Sequence, residues 1–277
     1  MINSPAKTWC NWAGILLACC FLLRPANIAA QPVRVRFHEG VTHGFLVLFA
    51  PDGKLLATGD MLQVKRGKRF FSQLIFHFHD GSIYEDSTVF LERGTFKLLT
   101  DHLIEKGPSF KEQSETWIDV PKGTFKAWSI DEHGKKKEVS KKIKYPDDVM
   151  NGLVYLVVKN IVPTMKSTTV SMVVGTPEPR VVKLDITPQL EDTFYVGDSK
   201  RKELHYKIHI DITGVAGVVA PLIGKQPPDE NMWIAAGEVP TFLKEQGELY
   251  NGGPIWTVAL AGPRWTASQQ ESEKSHE

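Results

Sequence analysis

The chain has 277 residues, 42% of them apolar and 23% charged, and its 33 basic side chains face 32 acidic ones. A balance this close to neutral excludes nucleic acid as the main partner, because phosphate binding needs a cationic surplus. All three cysteines, Cys10, Cys19 and Cys20, fall in the first stretch of the chain, so the remainder has no disulfide, no thiolate nucleophile and no cysteine-ligated metal.

Residues 1–30 read as an export signal. Lys7 precedes the apolar run CNWAGILLACCFLL, and RPANIAA then places Ile28 and Ala30 at the positions a signal peptidase reads before Gln31. The run is short for a bilayer span. LLAC at 16–19 offers a second route, a lipoprotein acylated at Cys19, although apolar residues continue past it to Leu23. Loss of this leader removes Lys7 and Arg24 and no acids, so 31 basic groups remain against 32 acidic ones. The expected product is an exported protein, periplasmic or secreted, and residues 31–268 are expected to form one β-rich domain.

From residue 33 the dominant signal is a period of two, the mark of strands with one buried face. VRVRF puts Val33, Val35 and Phe37 on one side and Arg34 and Arg36 on the other. GFLVLF, residues 44–49, is apolar at both parities and predicts a strand covered on both faces or facing a cavity. Turn signals recur about every ten residues. They are PDG at 51–53, DG at 80–81, RG at 93–94, VPKG at 120–123, DEHG at 131–134 and VGDS at 196–199.

The stretch QLIFHFHDGSIYEDS, residues 73–87, carries the most tempting chemistry. A two-residue turn at Asp80-Gly81 would pair His79 with Ser82, Phe78 with Ile83 and His77 with Tyr84. Leu74, Phe76, Phe78, Ile83, Val89 and Leu91 would then face the core, and His77, His79, Tyr84 and Asp86 would share the other face. Two imidazoles at i and i+2 with a carboxylate beside them could ligate zinc, so a metal-dependent hydrolase using His77, His79 and Asp86 is one expectation. The motif lacks the further aspartate and histidine such hydrolases carry, and there is no HExxH. A polar sheet face accounts for the same residues, and neither a catalytic nor a metal site is assigned.

KKKEVSKKIK at 135–144 holds six lysines, as in hairpins that guard an edge strand; contact with anionic headgroups is the functional alternative. YPDDVMNGLVYLVVKN, residues 145–160, reads as a largely apolar helix opened by Pro146 and two acids, a plug or lid to the core. VKLDI and LHYKIHIDI return to alternation, with Val182, Leu184, Ile186, Leu204, Tyr206, Ile208 and Ile210 inward. His205 and His209 share the outward face about 13 Å apart, too far to hold one metal. GDSK at 197–200 reads as a turn rather than a lipase serine block, and there is no GxSxG elbow. GVVAPLIGK has the wrong spacing for a phosphate loop and Gln226 where a hydroxyl is needed, so no cofactor is expected. The uncharged stretch from Thr213 to Gly224 is either a buried turn or an exposed apolar loop. The last nine residues, QQESEKSHE, read as a disordered tail.

FHDGSIYEDSTVFLERGTFKLLTDHLIEKGPSF, TGVAGVVAPLIGKQPPDENMWIA and YPDDVMNGLVYLV resemble segments of uncharacterised exported bacterial β-rich proteins, distantly like a widespread periplasmic domain of unknown function. The resemblance implies a Gram-negative envelope location and a strongly curved antiparallel sheet, and it brings no catalytic residues. The fold expected is mainly β: a strongly curved antiparallel sheet or open barrel or sandwich with one central apolar helix. Three functions stay open. They are non-enzymatic binding of an apolar or lipid-like ligand with the helix as lid, a structural or interaction protein of the envelope with a filled core, and the hydrolase.

Overall fold

The computed structural model describes Met1 and residues 33–175, 179–212, 226–262 and 264–265. The expected export signal, the stretch from Thr213 to Gly224 and the C-terminal tail lie outside these residues, Met1 apart. The strands in chain order are β1 (Thr42–Phe49), β2 (Leu55–Arg66), β3 (Arg69–Phe78), β4 (Ile83–Glu92), β5 (Phe96–Lys106), β6 (Gln113–Asp119), β7 (Thr124–Ile130) and β8 (Lys136–Lys142). Helix α1 (Val154–Asn160) follows, and then β9 (Thr168–Val174), β10 (Arg180–Val196), β11 (Ser199–Asp211), β12 (Glu230–Ala235), β13 (Thr241–Glu248), β14 (Ile255–Leu260) and β15 (Arg264–Trp265).

All fifteen strands belong to one antiparallel sheet, in the order β15-β10-β11-β12-β13-β14-β1-β2-β3-β4-β5-β6-β7-β8, with β9 also on β10. Two meanders are joined where β14 pairs with β1, Leu46 opposite Leu260 and Leu48 opposite Val258. The sheet does not close, but it curls until distant parts meet. Gly175, just past β9, lies against β7, where a Cβ would stand 3.2 Å from the Phe125 ring. The ring of Phe110, after β5, meets that of Tyr250, after β13, at 5.3 Å between centroids. This is the expected curved antiparallel sheet with one helix.

Alternation placed most of the core. Val182, Leu184, Ile186, Tyr206, Ile208 and Ile210 are buried, as their spacing requires. Leu46 and Leu48 also point inward, but Phe45 is 64% exposed. The strand read as covered on both faces therefore has one wet face, and its apolar outer residues do not line a cavity. Residues 33–37 keep their in–out alternation without becoming a strand. A bridge from Arg34 to Thr95 and the bond from Val35 N to Gly94 O hold them beside the β4–β5 turn.

The helix is half the expected length. Gly152 has φ +64°, outside the right-handed region, and ends any helix that would start at Pro146. Residues 148–151 instead run along the outer edge of β9, with Met150 N on Ser171 O at 2.8 Å and Ser171 N on Asp148 O at 2.9 Å. The Asn151 side chain bonds both backbone groups of Val173, so this edge is covered rather than left for another chain.

What remains of the helix sits inside the curl. Leu153, Leu156, Val157 and Val158 are fully buried, and each such side chain contributes about 1.5–3 kcal/mol. Polar ties fix it there. Asn160 accepts from the backbone N–H of Arg36 and Phe37 and donates to Leu156 O. Lys159 reaches the buried Glu39 at 2.8 Å, and Gln63 donates to the other oxygen of that carboxylate at 3.0 Å. The helix is a plug fixed in the core and not a lid over it.

Candidate functional site

The hairpin at residues 78–82 sets the site, and its turn is not the expected one. Gly81 N donates to Phe78 O and Phe78 N to Ser82 O, so three residues form the loop, and Gly81 takes φ +86°. This is the turn-plus-bulge connection that follows a two-residue hairpin in frequency. The extra residue shifts the register by one, and a one-residue slip moves every side chain to the other face. His77 pairs with Ile83, Phe76 with Tyr84 and Leu74 with Asp86. Tyr84 and Asp86 therefore join Phe76 and Phe78 on the inner face, while Ile83 is exposed on the outer one with His77.

The structure thus does not bring His77, His79 and Asp86 together. His77 and His79 are exposed, and Asp86 stands on the opposite side of the sheet. Among the described residues no three histidine, cysteine or carboxylate side chains converge as a metal site. His205 and His209 keep separate company, as their spacing required. His205 bonds Asn231 at 2.8 Å and stacks on Trp233, and His209 bonds Asp229 at 2.6 Å.

Asp86 instead meets Asp101, which sequence reasoning missed. Thr88 Oγ1 lies 3.1 Å from Asp101 Oδ1 and 3.3 Å from Asp86 Oδ1. Gly152 lies against the pair, where a Cβ would stand 2.8 Å from Asp101 and 3.2 Å from Asp86. Burial raises both carboxyls, and the charge of Asp86 raises Asp101 well above the ordinary range. Through the Thr88 hydroxyl the pair ties β4 to β5 beneath the plug. Glu105, four residues further along β5 from Asp101, accepts from the Ser114 hydroxyl at 2.7 Å. Burial first, and then the charges of Glu112 and Asp86, push Glu105 up to about 7 against the bond from Ser114. On the far side of the curl Glu245 is raised to about 7 by burial, and Glu230 to about 8 by burial and the neighbouring charge of Glu245. The phenol of Tyr84 is raised by burial and by Asp86, Glu105, Asp101 and Glu245. The inner wall is thus lined with carboxyls that are readily protonated.

The hairpin has a further consequence at the rim. Asp80 accepts from Ser82 N at 2.9 Å and from Ser109 Oγ at 2.7 Å, and Ser109 N donates to Ser82 Oγ at 2.9 Å. These bonds fix the β5–β6 loop and with it Phe110, whose ring meets Phe78 at 5.5 Å and Tyr250 at 5.3 Å between centroids. Trp256 completes the cluster, 5.6 Å from Phe78 and 5.7 Å from Tyr250. Phe110, Tyr250 and Trp256 of this cluster floor an open cleft of about 990 Å³ between the β5–β6, β7–β8 and β13–β14 connections, with Pro108, Ile130 and Pro254 among its walls. A smaller recess of about 180 Å³, lined by Ser114, Ala127, Ser129, Lys137, Val139 and others, lies beside it on the inner face of β6–β8.

The cleft combines an aromatic floor with polar walls, where Ser109, Lys111, Gln113, Asp131 and Glu132 stand, and an apolar surface with a set of polar groups is the usual make-up of a small-molecule site. Its components are scattered over three loops, so no single motif announces it. Comparison with protein-family models, with curated proteins and with solved structures finds no match.

Proposed function

We propose that the protein is an exported envelope protein that binds an apolar or lipid-like ligand without chemical turnover, in the cleft at the rim of its curved sheet. One observation carries the reading: a cleft of about 990 Å³ floored by Phe110, Tyr250 and Trp256, within reach of the volumes that ligand sites occupy. The ligand does not lie under the helix, because α1 already fills the interior. The leader-like residues 1–30 support export. Native mass spectrometry of protein purified without detergent tests the binding. A co-purified amphiphile supports the reading, and a mass equal to the bare chain under gentle desolvation, with no uptake of added fatty acid, refutes it.

A second reading, a structural or interaction protein of the envelope, is favoured by the filled interior. It predicts that the cleft takes no small ligand and that function resides on the outer surface.

A further inference from the structure

β8 ends the sheet, and among the described residues no strand lies on its far side. The opposite margin is treated differently, since residues 148–151 cover the outer edge of β9. The direction of the β8 peptide groups follows from bonds at both ends of its ladder with β7. Asp131 N donates to Lys135 O, and Ile143 N donates to Gly123 O. The intervening register is unbroken, from Ile130 opposite Lys136 to Thr124 opposite Lys142. Hydrogen-bonded pairs alternate along an antiparallel ladder, so Lys137, Val139 and Lys141 spend their peptide groups on β7. Lys136, Glu138, Ser140 and Lys142 turn theirs to the open side.

The side chains on this edge select what can add to it. Residues 120–144 carry eight lysines against three carboxylates, in a chain whose overall formal charge is +1. A second copy of β8 would set lysines opposite lysines, and like charges across strands repel. An acidic strand would find opposite charge at every such position. Between Lys137 and Lys141, on the inner face, stands the half-buried Val139. The recess of about 180 Å³ opens beside it, with Lys137, Val139, Ala127, Ser129, Ser114 and Thr116 among its walls.

We propose that β8 receives an extended acidic segment of a partner protein by strand addition, with the partner's acids facing the lysines of the strand, Lys137 among them, and an apolar side chain seated beside Val139 at the recess. Backbone bonds to Lys136, Glu138, Ser140 and Lys142 supply affinity, and the lysines and recess supply selection, as in other strand-addition complexes. The lysines that keep the edge from pairing with itself thereby specify its partner.

The probe is a labelled ten-residue peptide alternating glutamate and threonine around one central valine, followed by fluorescence anisotropy on the full chain. A second peptide of the same sequence has alternate amides N-methylated, so that charge is kept and pairing is lost. The expected result is saturable binding that falls at least tenfold for the methylated peptide. Ser140→Pro, which removes an outward N–H and no bond to β7, should cost a similar factor, because proline is tolerated on edge strands. Lys137→Glu/Lys142→Glu should cost at least tenfold at low salt and leave the circular dichroism spectrum unchanged. Equal binding of both peptides, or full binding by a folded Ser140→Pro, would show a merely cationic surface such as anionic headgroups meet, and would overturn the proposal. So would absence of binding.

Discussion

Glu105→Gln isolates the cost of the interior carboxyls. Glu105 is buried on the inner face and its pKa rises from 4.5 to about 7, chiefly through burial. The native state therefore holds a proton that the unfolded chain releases, and stability is present in full below about 4.5 and lost as pH rises through 7. A shift of this size corresponds to about 3 kcal/mol once both forms are ionised, of which about 2–3 kcal/mol is lost between pH 5 and pH 8. Glutamine cannot ionise and still offers an oxygen to the Ser114 hydroxyl. Urea denaturation at pH 5 and pH 8, followed by far-ultraviolet circular dichroism, measures the difference. Wild type should lose stability from pH 5 to pH 8 through Glu105 together with Glu230 and Glu245. Glu105→Gln should lose about 2–3 kcal/mol less. An identical pH dependence in wild type and variant would refute the placement of Glu105, and so would a variant destabilised more at pH 8 than at pH 5.

Three further outcomes follow from the plug and its ties. Leu156→Ala removes a fully buried side chain and should lower the free energy of unfolding by about 2–5 kcal/mol in urea titration. Gly152→Ala forces a Cβ onto a left-handed backbone against Thr88 and Asp101; about 1–2 kcal/mol comes from the backbone alone, and the measured loss should exceed that. Lys159→Met leaves Glu39 buried without its cation and should cost about 3–5 kcal/mol, with most of the loss recovered in Lys159→Met/Glu39→Leu.

The strands, most turns and most inward positions were legible because a period of two and a glycine or aspartate at each turn are local signals. The site was less legible, and the reason is particular. Between residues 83 and 91 both parities carry apolar side chains: Tyr84 and Phe90 on one, Ile83, Val89 and Leu91 on the other. The hydrophobic pattern therefore did not fix the register, and one extra residue in the loop before Ser82 did. The same ambiguity hid Asp101 and Glu105, which share a parity with Leu103 while Ile104 lies on the other. That placement of two acids at i and i+4 on one strand face, with Leu103 between them, was the available signal. The shortened helix has a similar origin, because residues 146–151 suit a first helical turn by composition and are claimed instead by the open edge of β9. The cleft could not be seen at all, since its floor joins Phe110 to Tyr250 and Trp256 across a long sequence separation.

Binding of cis-parinaric acid to wild type, Gln113→Trp and Leu156→Ala bears most directly on where the ligand goes. Gln113 is exposed and lines the cleft, so a tryptophan there fills the mouth without disturbing the interior, whereas Leu156→Ala opens space under the plug. Micromolar binding by wild type, lost at least tenfold in Gln113→Trp and kept by folded Leu156→Ala, is the predicted result. Binding that survives in Gln113→Trp and strengthens in Leu156→Ala would place the ligand inside the sheet and contradict the account.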